Sequence, residues 1–95
     1  MILHLLRASP FSDQSLCQCL GRVTEQDGIV LMQDAVYALR GQEQAWYNPM
    51  TSVSSLYALK EDIEARGISA PEQVHVIGYP ELVTLTLKFD NVISW

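Results

Sequence analysis

Charged residues are scarce in this sequence, and the basic ones form no cluster. Only 18% of the 95 residues are charged, against about 25% in typical soluble domains. Eleven acidic residues outnumber six basic ones and give a net charge of −5. Because binding to a phosphate backbone requires clustered Lys and Arg, we expect no direct contact with nucleic acid.

Long apolar runs and the features of a secretion signal are also missing. No apolar run approaches the roughly 20 residues of a membrane-spanning helix. The opening MILHLLRASP lacks the basic start and the apolar length of a signal peptide. We therefore expect a cytoplasmic protein without membrane association, whose only cysteines, Cys17 and Cys19, are reduced thiols.

The sequence has no phosphate-binding glycine loop and no nucleophile motif of the GxSxG type. Its C-x-C pair has no second Cys or His cluster that could complete a zinc site. We expect neither a cofactor nor a metal ion. The motifs point to no complete catalytic site.

Apolar residues, in contrast, make up 48% of this short chain. A chain of this size forms one domain, here residues 1–95, and buries only roughly 60–70% of the surface that its unfolded form exposes. Part of the apolar surface is expected to contact another chain. The alternative is a dense core with a few exposed leucines, which is normal in soluble proteins.

The segment GIVLMQDAVY, from Gly28 to Tyr37, defines the predicted fold. Its four consecutive apolar residues indicate a strand buried on both faces, as in a parallel sheet covered by helices. Gln33 and Asp34 then lie at the carboxyl end of this strand, where open α/β sheets place ligands and partners. Asp34 alone cannot form a Mg²⁺-dependent phosphoacceptor site, so we interpret it as a helix N-cap.

The rest of the chain alternates predicted strands with predicted helices. Further strands are expected at 1–6, 53–59 and 74–77, and helices after Ser9-Pro10 (with Ser12 as the competing cap), from 34 to about 41, and from 60 to 66. Gly67 is expected to end the last of these helices with a Schellman motif. This order predicts an α/β domain with a mostly parallel sheet, right-handed crossovers and helices on both faces.

Two segments are open to more than one interpretation. Residues 42–51 show no period and are predicted to be irregular, with Trp46 and Tyr47 either anchored on the core or contacting a partner. Residues 82–89 alternate like a strand, yet Tyr79-Pro80-Glu81 begins them like a helix. Trp95, the last residue of the sequence, is expected to be packed in this domain or in a neighbour.

Few side chains could carry chemistry. Cys19 lies on the apolar face of the first predicted helix, about two turns in, and is either a small buried hydrophobe or a persulfide carrier. A carrier needs a thiolate, and the helix dipole does not reach that far, so the chemistry favours the buried residue. His4 and His75 lie in apolar, strand-like segments and are predicted to be structural.

Four segments taken in order resemble the TusB/DsrH family of sulfur-relay subunits: ILHLLRASPF, VLMQDAVYAL, LKEDIEARGI and GYPELVTLTLKFDNVISW. The resemblance covers nearly the whole chain, and its one visible departure is Ala35, where the family usually has Gly. It implies the DsrE/DsrF/DsrH-like α/β fold with about five strands, and a helix rather than a strand at 80–88.

The resemblance also implies a function. Members of the family form a heterohexamer, a dimer of trimers, with TusC-like and TusD-like subunits. This complex passes persulfide sulfur from a TusA-like donor to a TusE-like acceptor for 2-thiolation of the tRNA wobble uridine. The essential thiol belongs to the TusD-like partner, although the DsrH branch has a cysteine where Cys19 lies.

The sequence therefore predicts a structural and regulatory subunit of a sulfur-relay complex, without turnover of its own. Its contacts are expected in the 42–51 segment and at the apolar C-terminus, with Trp46, Tyr47 and Trp95 as candidates. Two alternatives are a DsrH-like carrier in sulfur oxidation that uses Cys19, and a stand-alone small-ligand or regulatory module with a pocket beyond Asp34.

Overall fold

A computed structural model describes residues 1–95 and contains one five-stranded sheet in the order β4-β3-β2-β1-β5. The strands are β1 (Ile2–Leu6), β2 (Gly28–Leu31), β3 (Ser55–Leu59), β4 (His75–Ile77) and β5 (Asn91–Ser94). The helices are α1 (Ser15–Leu20), a 3₁₀ helix (Gln33–Arg40), α2 (Tyr47–Thr51), α3 (Lys60–Ala65) and α4 (Tyr79–Lys88). All four strand pairs are parallel, which confirms the predicted fold class.

The predicted central strand lies in the middle of the sheet. All four residues of β2 are buried, as its uninterrupted apolar run requires. β1 and β3 flank it, so Leu5 and Tyr57 lie on either side of Val30. The strands β2, β3 and β4 follow one another on one side of β1, and only β5 lies on its other side.

The two faces of the sheet differ in how many helices cover them and how many residues they bury. α1, the 3₁₀ helix, α2 and α3 pack on one face and form a cluster of 15 buried residues. α4 alone packs on the other face, where only Leu3, Val30, Leu85 and Phe89 are buried together. None of the helices has the length and apolar character that a bilayer crossing requires.

The first helix begins later than the sequence predicts. Ser9 caps only a single turn, in which its carbonyl accepts from the N–H groups of Ser12 and Asp13 and its Oγ accepts from Phe11 N–H. The Asp13 carboxylate then accepts the Ser15 N–H at 2.7 Å just before α1, whose N-cap position is Gln14. Neither predicted serine cap is therefore correct, because Asp13 competes for the helix start.

The segment predicted to be irregular contains a helix. Residues 42–46 form turns, but Tyr47–Thr51 is α2, with Pro49 in its first turn. A proline in the first turn costs no intrahelical hydrogen bond, so it is compatible with this helix.

The later helices follow the predictions. At the end of α3, Gly67 has φ +62°, and the N–H groups of Gly67 and Ile68 donate to the carbonyls of Glu64 and Ile63 in the predicted Schellman motif. Residues 79–88 form α4, as the family resemblance implies. Its start is held by Glu81, whose carboxylate accepts the Gly78 N–H at 2.9 Å.

Candidate functional site

Cys19 is completely buried, with 0% of its surface exposed, whereas Cys17 is exposed. Burial, assisted by the negative charge of Asp27, raises the pKa of the Cys19 thiol to about 11. Cys19 is only the fifth residue of the six-residue helix α1, so it lies less deep in its helix than the sequence predicted. The geometry gives a thiol that is protonated at neutral pH and shielded from solvent.

Next to α1, a buried hydrogen-bond network joins three parts of the chain. His4, on β1, is 2% exposed, and its Nε2 lies 3.2 Å from the carboxylate of Asp27. Its Nδ1 lies 3.1 Å from the indole Nε1 of Trp95. The sequence identified His4 as structural but gave no sign of its partners, which lie 23 and 91 residues away in the chain.

Asp27 carries the charge of this network. Burial pushes the pKa of the Asp27 carboxyl upward, but hydrogen bonds from Ile2 N–H, the His4 ring and Thr24 outweigh that effect and lower it to about 2. Ile2 N–H donates to Oδ1 at 3.0 Å, and Thr24 N–H donates to Oδ2 at 3.2 Å. The carboxylate is therefore ionised at physiological pH and ties the first strand to the segment before β2.

Trp95, a candidate for a partner contact, makes its polar contacts within its own chain. Its backbone N–H extends the ladder beyond β5 by donating to the Leu5 carbonyl at 2.9 Å. The guanidinium of Arg22 lies 5.5 Å from the centre of its ring. Trp95 is half-buried against the larger core cluster, so part of its ring still faces the surface.

Gln33 and Asp34 lie, as predicted, just after β2 at the carboxyl edge of the sheet. Gln33 is the only residue other than glycine with a positive φ, 51°, and its N–H donates to the Asp62 carboxylate at 2.8 Å. Asp34 is the second residue of the 3₁₀ helix, whose N-cap position is Met32, so the N-cap interpretation of Asp34 is wrong. The positive φ of Gln33 turns the chain into the helix directly after β2, so Asp34 already lies inside its first turn.

The carboxylate of Asp34 is paired instead with a cation. Arg66 donates to its Oδ1 from Nε at 3.2 Å and from Nη2 at 3.0 Å. Nη1 of the same guanidinium lies 3.5 Å from Oδ1 of Asp62, which is four residues earlier in the chain. This edge of the sheet therefore holds two acids bridged by one arginine.

Trp46 and Tyr47, the candidates in the 42–51 segment, are both half-buried against the larger cluster. The Trp46 ring lies directly over Gly41, where an added Cβ would come within 2.3 Å of it. Phe11, which is exposed, packs edge-on against the same ring at 5.7 Å. Trp46 is thus anchored on the domain, and its outer side joins the exposed ring of Phe11.

An exposed apolar stripe on α4 was not recognised from the sequence. Tyr79, Val83 and Leu87 are 51%, 59% and 82% exposed. Their spacing of four residues places them on one side of the helix, opposite Leu85 and Phe89. The strand-like alternation of this segment concealed that spacing, which becomes visible only once the segment is helical.

One pocket, with a volume of about 170 Å³, opens at the amino edge of the sheet. It is lined by residues 23–25, 49 and 52–54, which precede β2 and β3. It therefore lies at the end of the sheet opposite Asp34. No group of three His, Cys, Asp or Glu side chains is arranged to hold a metal ion.

Fold and site together define a small parallel α/β protein with a buried polar network on one face and an apolar helix surface on the other. The family model described as "DsrH like protein" matches residues 8–92. The chain belongs to this DsrH-like family, which confirms the resemblance noted in the sequence.

Individual relatives agree with this assignment. Protein TusB of Buchnera aphidicola subsp. Baizongia pistaciae is 36% identical over 99% of this chain and 100% of its own. Protein TusB of Pectobacterium parmentieri is 34% identical with the same coverage. Among solved structures, the ychN protein from E. coli has a TM-score of 0.79 at 24% identity, covering 99% of this chain and 97% of its own, which supports the fold.

Proposed function

We propose that this protein is an accessory subunit of a cytoplasmic sulfur-relay complex that serves 2-thiolation of the tRNA wobble uridine. The observation that carries the proposal is its full-length similarity to proteins named TusB, together with its place in the DsrH-like family. Its partners are TusC-like and TusD-like subunits in a heterohexamer built as a dimer of trimers. Persulfide sulfur passes through the complex from a TusA-like donor to a TusE-like acceptor.

The role of this chain is structural and regulatory. Persulfide transfer requires an accessible thiolate, and the buried thiol of Cys19, with its pKa raised to about 11, is poorly suited to it. The sulfur-carrying thiol therefore belongs to the TusD-like partner. The acidic net charge of −5 also agrees with a protein that leaves contact with tRNA to a later component.

The exposed apolar residues supply surface for assembly. A small domain gains stability from association, and exposed apolar patches often mark subunit interfaces. Phe11 and the outer side of Trp46 form one such area, and Tyr47 lies next to it in sequence. We assign the partner contacts to this area and to the surface around Trp95.

Co-expression with the TusC-like and TusD-like neighbours, followed by mass determination of the purified complex, tests the proposal. We expect a heterohexamer that still passes labelled sulfur to the TusE-like acceptor when Cys19 is replaced by Ala. Cys17→Ala is the matched control, because it removes the exposed thiol two residues away. Both variants should pass sulfur at the wild-type rate within about twofold.

Other results select other functions. An intact hexamer that loses sulfur transfer only in Cys19→Ala, with a +32 Da adduct (one sulfur) on Cys19 of the loaded wild type, would identify a DsrH-like carrier. A chain that stays monomeric beside its neighbours would contradict the subunit proposal and favour a stand-alone module.

A further inference from the structure

The hydrogen bonds around His4 determine its protonation state. An indole N–H can only donate, so Trp95 Nε1, at 3.1 Å, must donate to His4 Nδ1. Nδ1 therefore carries no proton, and the proton of the neutral ring lies on Nε2, which donates to the Asp27 carboxylate at 3.2 Å. His4 is thus a neutral imidazole held in one tautomer by a donor on one side and an acceptor on the other.

Adding a proton to this ring affects its two partners in opposite ways. A protonated Nδ1 is itself a donor and faces the Trp95 indole N–H, so that hydrogen bond is lost. The Asp27 carboxylate, in contrast, binds the imidazolium more strongly than the neutral ring. Protonation therefore breaks the link from His4 to Trp95 and strengthens the link from His4 to Asp27.

From this we propose that His4 and Trp95 form a pH-sensitive latch that holds the carboxyl-terminal end of the edge strand β5. Above the pH at which His4 is protonated, the Trp95 indole donates its hydrogen bond to His4. Below that pH the Trp95 side chain is released while the sheet stays folded. The release frees the end of β5, whose four residues are already exposed at the edge of the sheet.

The charged and titratable groups around His4 either favour or oppose its protonation. The segment before β2 contributes Asp27, which favours the imidazolium. α1 contributes the neutral thiol of Cys19, and the turn after α1 contributes Arg22, whose guanidinium lies over the Trp95 ring. Arg22 and the burial of the ring oppose the added charge.

The fold itself tolerates the same change of pH. The Asp27 carboxylate, with its pKa lowered to about 2, still accepts from Ile2 and Thr24 in mildly acidic solution. A histidine is the side chain that ordinarily changes its charge between about pH 5 and 8. The carboxylate that joins β1 to the segment before β2 therefore stays ionised throughout this pH range.

Nuclear magnetic resonance of the ¹⁵N-labelled wild-type protein tests the latch directly. Between pH 8 and pH 5 we expect the Trp95 indole proton to shift in one step and its protection from solvent to fall about tenfold, as loss of a partly buried hydrogen bond implies. The ring nitrogens of His4 should change in the same step from the Nε2–H tautomer to the doubly protonated form. The Trp46 indole, which packs against Phe11 and Gly41, serves as the internal control.

Variants separate the latch from other sources of pH dependence. In His4→Gln the side-chain amide can accept from Trp95 and donate to Asp27 without titrating, so the step should disappear. His75→Gln removes the exposed histidine that stacks on Tyr57 and should leave the step unchanged.

Several results would overturn the latch. These are a His4 ring that stays neutral down to pH 5, a step that persists in His4→Gln or vanishes in His75→Gln, and an indole change that coincides with loss of the circular dichroism of the folded state. Because the wild-type measurement is sufficient by itself, a variant that fails to fold leaves the test valid.

Discussion

The two faces of the sheet contrast in how much of the chain they bury. On one face, four helices enclose 15 buried residues together with the network of His4, Asp27 and Trp95. On the other face, α4 encloses four, and its outer side is apolar and exposed. Both faces belong to the same strands, so the difference arises from how many helices the chain order places on each.

The contrast follows from the order of the strands in the sheet. The sheet order sends three successive crossovers to one side of β1, and right-handed connections place their helices on one face. The single crossover from β4 to β5 runs in the opposite direction and brings only α4 to the other face. The face covered by four helices, here called the thick face, therefore supplies most of the stability. The face covered by α4 alone, here called the thin face, leaves apolar surface that association can cover.

Truncating a core leucine on each face should show the largest difference. Leu31→Ala in the larger cluster is expected to lower the free energy of unfolding by about 2–5 kcal/mol, because the enclosed site cannot collapse around the cavity. Leu85→Ala on the thin face should cost less than Leu31→Ala, at the low end of that range or about 2 kcal/mol, because α4 can relax toward the sheet. Urea unfolding followed by circular dichroism measures both.

Leu87→Ala, on the exposed side of α4, is the control and should change stability by no more than about 0.5 kcal/mol. If Leu85→Ala cost as much as Leu31→Ala, the thin face would be as tightly packed as the thick one.

A smaller effect is expected at Gly28, which lies against Leu3 and Phe89 on the thin face. An added Cβ would lie 2.9 Å from Phe89 Cζ and 3.1 Å from Leu3 Cδ1. Gly28→Ala should therefore destabilise by about 1–3 kcal/mol through overpacking. Combining it with Phe89→Leu should recover part of that loss in a double-mutant cycle.

Gly21→Ala is the matched control for this cycle, since its added Cβ would meet nothing closer than 3.4 Å and its backbone is right-handed helical. A Gly28→Ala protein as stable as the wild type would mean that Phe89 moves aside freely.

The two cysteines provide a comparison of chemical reactivity rather than of stability. The thiol of Cys19, with its pKa raised from 9.0 to about 11, has a roughly hundredfold smaller thiolate fraction at pH 8 than an ordinary thiol. Iodoacetamide should therefore alkylate Cys17 at least about a hundred times faster than Cys19 in the native protein. Peptide mass spectrometry measures both rates.

The same pKa shift predicts a loss of stability in alkaline solution. The folded state keeps its proton while the unfolded thiol ionises, so stability falls as the pH rises from about 9 to 11. Cys19→Ala should lack that part of the loss. Equal alkylation of both cysteines in the native protein would place Cys19 at the surface and contradict its place in the core.

Local patterns predicted the elements that depend on few residues. The apolar run at 29–32 marked β2, and Gly67 marked the end of α3 because a positive φ there favours glycine. Where two local signals competed, the sequence did not decide between them. The contact between Asp13 and Ser15 precedes α1 where Ser9 was expected to cap it, and the alternation at 82–89 matched a strand although α4 continues to Lys88.

The candidate site was predicted less completely than the fold. The sequence placed Gln33 and Asp34 at the carboxyl edge of the sheet, because that follows from the strand before them. It could not pair Asp34 with Arg66, which lies 32 residues away in the chain. Nor could it bring His4 to Trp95, which lies 91 residues away.

The sequence by itself therefore determined the class of fold, the burial of the central strand and the family, since each is encoded by composition, period or the order of short segments. Only the tertiary structure decided that Cys19 is enclosed, that His4 is fastened between Asp27 and Trp95, and that α4 leaves an apolar stripe uncovered. These features depend on contacts between residues distant in sequence, and such contacts exist only after the crossovers have placed every strand beside its neighbour.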